Sequence, residues 1–154
     1  MTYKFDIMTQ TQAEEIAFNW HYEGEYSFYD MEADQEDLEE FLDPETRGNS
    51  KYAVFNNNEL IGFFSVNKVD DITFDIGLGM RPDLTGKGNG LEFLKSSLEF
   101  VKNEYKPKKL TLSVATFNQR AIKVYRNLGF KDGITFIQDT NGSTYEFLRM
   151  EYQC

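Results

Sequence analysis

Tyr3 to Met8 alternates weakly between apolar and polar positions, which predicts a first strand. Ala13, Ile16, Ala17 and Trp20 then recur at intervals of three or four, a helical spacing. Thr11 and Glu14 mark its start as a capping box, and it ends near Asn19 to His21. Residues 21–33 crowd aromatics and carboxylates around Gly24 without a period and read as a loop. Asp34 caps a second helix through Leu42, which Pro44 terminates. Lys51 to Phe55 and Glu59 to Asn67 are two strands joined by Asn56-Asn57-Asn58, residues that tolerate the positive φ of a hairpin turn. Ile72 to Met80, after the Asp70-Asp71 turn, continues the meander. Leu91, Leu94, Leu98, Val101 and Tyr105 line one face of a long helix that Pro107 closes. Leu110 to Val114 alternates as a strand. Asn118 caps a helix with Ala121, Ile122, Tyr125 and Leu128 along one side and Gly129 just past its end. Phe130 to Gln138 and Ser143 to Glu151 form a closing hairpin about Asp139-Thr140-Asn141-Gly142. The order is β-α-α-β-β-β-α-β-α-β-β, an α+β fold in a single domain over residues 1–154.

Composition narrows the class. Apolar residues make up 40% of 154, with 14 Phe and 9 Tyr, enough for a packed core. No run of apolar residues is long enough to cross a bilayer and no basic-then-apolar leader opens the chain, so it reads as soluble and cytoplasmic, without a membrane partner. The one cysteine, Cys154, allows neither an internal disulfide nor a thiol cluster for metal. The net charge of −10 is unevenly placed: Phe5 to Thr46 holds fourteen acidic residues and no Lys or Arg. An acidic third concentrates cations, and the remainder tolerates an anionic cofactor. No basic stripe interleaved with aromatics is present, which argues against nucleic acid.

The chemistry centres on Met80-Arg81-Pro82-Asp83-Leu84-Thr85-Gly86-Lys87-Gly88-Asn89-Gly90. Three glycines at alternate positions, directly before a helix, leave backbone N–H groups uncovered where the helix dipole begins, a setting for phosphate. Gly86 to Gly90 is neither a P-loop, because Lys87 is followed by Gly88, nor the dinucleotide fingerprint, because its glycines are spaced one residue too tightly.

This stretch and the later Asn118-x-x-Ala121-x-x-x-Tyr125-x-x-x-Gly129-Phe130, about thirty residues on, together resemble the GNAT superfamily of acyl-CoA-dependent N-acetyltransferases across essentially the whole chain. The resemblance implies a mostly antiparallel mixed sheet of about seven strands, splayed as a V between the fourth and fifth, with four flanking helices. It implies acetyl-CoA as cosubstrate, no metal, and transfer of acetyl to a primary amine of a small cationic molecule or a peptide by direct attack in a ternary complex. A homodimer is compatible with it. The family's [RQ]-x-x-G-x-[GA] loop falls on Thr85, Gly86, Lys87, Gly88, Asn89 and Gly90, with Thr85 a departure at the first position. By the same resemblance the pantetheine arm would pair with the backbone of Leu78, Gly79 and Met80, where a freed N–H would also polarise the thioester carbonyl. A non-catalytic acyl-CoA-binding sensor or adaptor is the alternative reading, kept open by Thr85 and by the unsettled base.

Acetylation of an amine has two proton transfers, off an ammonium and onto a departing thiolate. Tyr125 matches the family's general acid, with Asn118 two turns before it as cap and cofactor contact. Asp75, a carboxylate in an apolar strand, is the candidate base, acting through a water; Glu23, Glu25 and His21 are alternatives. Tyr22, Tyr26, Phe28 and Tyr29 with Glu23 and Glu25 would border the acceptor, since aromatic faces and carboxylates suit a cation.

Overall fold

Seven strands pair edge to edge in the order β1 (Tyr3–Ile7), β2 (Lys51–Asn56), β3 (Glu59–Lys68), β4 (Thr73–Met80), β5 (Lys109–Ala115), β7 (Ser143–Gln153) and β6 (Lys131–Thr140). The computed structural model describes residues 3–85, 88–140 and 142–154, with only the backbone of Glu25. All neighbouring strands run antiparallel except β4 and β5, which are parallel. Parallel neighbours need a crossover, and α4 (Asn89–Tyr105) provides it.

Because side chains alternate across a strand, adjacent residues of β2 and β3 feed different cores. Ala53 and Phe63 pack with Ala13 and Ile16 of α1 (Gln10–Asn19), with Trp20 just past its end, and with Phe41 of α2 (Gln35–Leu42). Val54 and Phe64 pack with Phe93, Leu94 and Val101 of α4 and Ile122 of α5 (Gln119–Asn127). The sheet is therefore covered on both faces. The faces predicted for α4 and α5 are the buried ones.

Three local expectations need correction. The cap of α1 is Thr9 with Gln12, not Thr11 with Glu14: the Gln12 N–H donates to Thr9 Oγ1 at 3.2 Å and the Thr9 N–H to Gln12 Oε1 at 2.9 Å. Met8 is still tied to β2 by its N–H on the Lys51 carbonyl, so the chain leaves the sheet and enters the helix at once. Residues 21–33 contain two 3-10 turns, Gly24–Tyr29 and Met31–Ala33. Finally, α2 ends at Leu42, but Pro44 also opens a further helix, α3 (Pro44–Arg47), because proline lacks only an N–H that the first helical position leaves unpaired anyway. Five α-helices thus flank the sheet among the described residues, against four expected. Arg47 of α3 is buried, and its guanidinium donates to the Phe41 carbonyl at 2.7 Å and to Gln10 Oε1 at 2.8 Å, locking α1, α2 and α3 together.

The hairpin at Asn57 and Asn58, with φ of 52° and 65°, is as expected. So is the splay. β4 and β5 pair only at Thr73–Lys109, Phe74–Leu110 and Asp75–Thr111. Beyond that point β4 continues against β3 as far as Met80, and β5 continues against β7 as far as Ala115, so their facing edges part.

Candidate active site

The parting leaves backbone groups without sheet partners, and the ladder tells which ones. The Arg81 N–H donates to the Ile61 carbonyl, and the Val69 N–H to the Thr73 carbonyl. Hydrogen-bonded pairs alternate along an antiparallel ladder, so the amides of Gly77 and Gly79 also face β3, while the N–H and C=O of Leu78 and Met80 face the gap. Gly79, expected to pair with a cofactor arm, is thus already committed to Phe63. Its missing side chain has another use: a Cβ there would lie 2.3 Å from Cε1 of Phe63. The Met80 carbonyl is taken by the Tyr22 hydroxyl at 2.7 Å, leaving the Leu78 amide and carbonyl and the Met80 N–H open among the described residues.

A cavity of about 680 Å³ passes through this gap. Ile76 to Met80 form one wall and Leu112, Ser113 and Val114 the other. Leu91, Phe93 and Leu94 of α4, Ala121, Val124 and Tyr125 of α5, and Tyr22, Tyr26, Phe28, Tyr29 and Met31 complete the lining. Tyr22, Tyr26, Phe28 and Tyr29, the aromatics expected to border an acceptor, all line this cavity.

At the glycine turn, Gly88 is the N-cap of α4 with φ of 80°, a left-handed conformation that disfavours any side chain. A Cβ at Gly88 or Gly90 would meet no atom of the described residues within 4 Å, so both glycines border open space beside the first amides of a 17-residue helix. Both line the cavity, as does Thr85. The Thr85 hydroxyl is spent locally, donating to the Pro82 carbonyl at 2.8 Å, and the Asn89 side-chain amide donates to the Leu84 carbonyl at 3.2 Å. These bonds fix the turn rather than present side chains to a ligand. Gly86 and Lys87 lie outside the described residues. Arg81 is no phosphate ligand here, since it pairs with Asp83 at 2.6 Å and Glu59 at 2.7 Å.

Asn118 caps α5 as predicted: its Oδ1 accepts from the Ala121 N–H at 3.2 Å, and its Nδ2 donates to the Tyr29 hydroxyl at 3.1 Å. Tyr125, two turns on, lines the cavity on the same side of the helix. Burial pushes its phenol strongly above the ordinary value of 10.0, and the neighbouring Tyr29 adds to this.

The carboxylates are arranged differently from expectation. Asp75 is not among the cavity-lining residues; it accepts a hydrogen bond from Thr111 Oγ1 at 2.7 Å, at the last paired position before the strands part. Glu23 is exposed and away from the cavity, and the Glu25 side chain lies outside the described residues. His21 is also exposed; its ring bridges the Phe18 carbonyl at 2.8 Å and Asp30 at 3.2 Å. The carboxylates that do line the cavity are Asp30 and Asp37. Asp30 is held by the Tyr22 N–H at 2.7 Å, and the Asp37 carboxyl is raised by partial desolvation and by Asp34, Glu40 and Glu36 around it. Arg120 joins the lining with its guanidinium 4.4 Å above the Tyr26 ring. None of these three carried a motif. Asp30 and Asp37 are two of fourteen acids in their stretch, and only folding distinguishes them. Among the described residues no group of three or more His, Cys, Asp or Glu is placed to hold a metal, and no helix is long and apolar enough to cross a membrane.

Comparison with known proteins agrees with this geometry. No curated protein sequence matches the chain. Among solved structures, the spermidine N-acetyltransferase from Vibrio cholerae in complex with CoA and spermine is similar at 17% identity, with 98% of this chain and 95% of that one covered and a TM-score of 0.74. A GNAT-family acetyltransferase from Bacillus anthracis is similar at 15% identity, with 99% and 95% covered and a TM-score of 0.74. Another from Elizabethkingia anophelis, with acetyl-CoA bound, is similar at 20% identity over 68% of this chain and 75% of that one, with a TM-score of 0.57. At these identities the likeness is one of fold. The family model of the acetyltransferase (GNAT) domain matches residues 5–131, which takes in the split sheet, the glycine turn and Tyr125, and the chain accordingly belongs to the GNAT acetyltransferase family.

Proposed function

We propose that this protein is an acetyl-CoA-dependent N-acetyltransferase whose acceptor is a primary amine on a small cationic molecule or a peptide. The observation that carries the reading is the end of β4–β5 pairing at Asp75–Thr111, which leaves the amides of Leu78 and Met80 unpaired in a cavity that also holds Tyr125. Acetyl-CoA, when bound, supplies a thioester. The residues fit it: the gap offers strand-edge donors and an acceptor to an amide-bearing arm, and Gly88 and Gly90 leave open space for phosphate at the start of α4. The Leu78 and Met80 N–H groups are fixed donors for charge that develops on a carbonyl oxygen.

Tyr125 gives its phenolic proton to the sulfur. A phenol pushed upward stays protonated through the working pH range and is ready to donate. Asp75 takes the proton from the amine through one bridging water, standing two residues below Gly77 on the same face of β4, with Thr111 fixing one of its oxygens. Asp30 and Asp37, with the rings of Tyr22, Tyr26 and Tyr29, attract a cationic acceptor. Support for a cation also comes from the spermine held by the Vibrio cholerae protein.

The test is release of free thiol from acetyl-CoA against a panel of polyamines, basic peptides, neutral amines and acidic amines. Turnover confined to cationic amines and lost in Tyr125→Phe is expected. Tight acetyl-CoA binding with no thiol release on any amine would show a non-catalytic module instead.

A further inference from the structure

Among the described residues that line the cavity, Arg120 is the one cation. Three arginines elsewhere are already spent: Arg47 donates to the Phe41 carbonyl and to Gln10, Arg81 pairs with Asp83 and Glu59, and Arg126 pairs with Asp132. Arg120 has no hydrogen bond or ion pair among the described residues. Two carboxylates line the same cavity, and both are engaged away from it: Asp30 accepts from the Tyr22 N–H and pairs with His21, and Asp37 stands among Asp34, Glu40 and Glu36. What holds Arg120 is the Tyr26 ring, with the guanidinium carbon 4.4 Å from its centroid. Tyr26 belongs to the 3-10 turn Gly24–Tyr29, and Phe117, the residue before the α5 cap, packs on it with 6.0 Å between ring centroids. A guanidinium donates in its own plane, so a ring against its face fixes it and leaves the N–H fork free. The side chain is exposed, and its charge also acts on the Tyr29 phenol. The fork therefore stands beside Tyr26 and Tyr29, rings that the reading above gives to the acceptor, whereas Gly88 and Gly90 are the residues that leave room for phosphate.

We propose that Arg120 selects an acceptor that carries a carboxylate as well as amines, as a diamino acid does, by holding that carboxylate in a forked hydrogen bond. Arg–carboxylate pairs are bidentate because the spacing of two N–H groups matches that of the two oxygens. Asp30 and Asp37 supply the opposite sign, for the amine that is not attacked. The lining is thus bipolar, with two carboxylates and one guanidinium, and a molecule with two amines and one carboxylate matches it sign for sign. A simple diamine satisfies the carboxylates but leaves Arg120 facing a like charge, which discriminates against it. This rests on the acetyltransferase reading above and narrows its acceptor.

Two matched pairs of amines test it on the full chain: lysine against cadaverine and ornithine against putrescine, each diamine being the amino acid without its carboxylate. With acetyl-CoA saturating, kcat/KM for thiol release should be about ten- to hundredfold higher for the amino acid than for its diamine, the equivalent of one charge-assisted pair. Arg120→Gln should bring that ratio to about one by raising KM for the amino acids, with KM for acetyl-CoA unmoved. Arg120→Lys should recover only part of the preference, since an ammonium is a point charge without the fork. A wild type that shows no preference, that prefers the diamines, or that acetylates other amines and neither pair would overturn the proposal. So would a rise in KM for acetyl-CoA in Arg120→Gln with the ratio intact, which would give the guanidinium to a cofactor phosphate. If no amine releases thiol, the acetyltransferase reading fails. Calorimetric titration of lysine and of cadaverine into the wild type and Arg120→Gln then decides the carboxylate contact by itself: tighter binding of lysine that the variant loses supports it, and equal binding overturns it.

Discussion

The Tyr22 hydroxyl donates to the Met80 carbonyl at 2.7 Å, joining residues 58 apart in the chain across the mouth of the split sheet. One comes from the aromatic loop that lines the cavity, the other is the last residue of β4. The bond fills a carbonyl that the parting of β4 from β5 would otherwise leave bare, and it ties the aromatic loop to the end of β4. Tyr22→Phe should therefore cost about 1–3 kcal/mol of stability, the penalty for an acceptor left short of its partner. It should also weaken CoA binding, measured as a smaller rise in melting temperature on adding CoA. An unchanged rise would show that β4 keeps its position without Tyr22.

Removing the hydroxyl of Tyr125 tests the acid directly. Tyr125→Phe should lower kcat by about 10²–10⁴-fold with little change in KM for acetyl-CoA, since the ring still packs against Phe130. Steady-state kinetics with a cationic amine measures both. A retained kcat would assign sulfur protonation to another group.

Asp75 and Asp37 separate by pH. With Asp75→Asn, kcat should fall at neutral pH and recover as alkaline solution deprotonates the amine without help. Asp37→Asn should instead raise KM for the amine at every pH, because that carboxylate attracts rather than deprotonates. Full pH–rate profiles of both variants distinguish the roles.

Two glycines should respond in opposite ways. Gly79→Ala places a Cβ 2.3 Å from the Phe63 ring, which Trp20 and Phe41 hold in place, and should destabilise by about 1–3 kcal/mol through overpacking. Gly88→Ala meets no atom and costs only the left-handed conformation, about 1–2 kcal/mol. Its larger effect should be on CoA affinity, since the methyl enters the open space at the start of α4. Denaturant melts and calorimetric titration with CoA read the two effects separately.

His21 makes stability depend on pH. Its hydrogen bond to Asp30 raises its pKa above the ordinary 6.5, with the Phe18 carbonyl adding to the effect. A raised pKa means that the folded state holds the proton more tightly. The stabilisation is complete below pH 6.5 and is lost as pH climbs through the folded value. His21→Gln should thus lower the melting temperature more at about pH 6 than at about pH 8. The ring is exposed, so solvent keeps the difference small.

What the sequence decided is what short-range chemistry decides. Spacing of apolar residues placed each strand and the long helices, Asn57 and Asn58 set a hairpin, Asn118 capped α5, and three glycines before Leu91 marked the start of α4, because these depend on a residue and its near neighbours. Even there, the cap expected at Thr11 stands at Thr9, since Met8 is still tied to Lys51 and the chain enters the helix at once. The tertiary structure alone decided which carboxylates face the cavity. Asp75 was singled out by its apolar neighbours, yet it does not line the cavity and Thr111, 36 residues away, holds one of its oxygens, while Asp30 and Asp37, unremarkable among many acids, do line it. Strand alternation likewise took the Gly79 amide for Phe63 and gave the gap to Leu78 and Met80. A side chain's partner across a sheet or a cavity depends on how distant segments pack, and no local pattern records it.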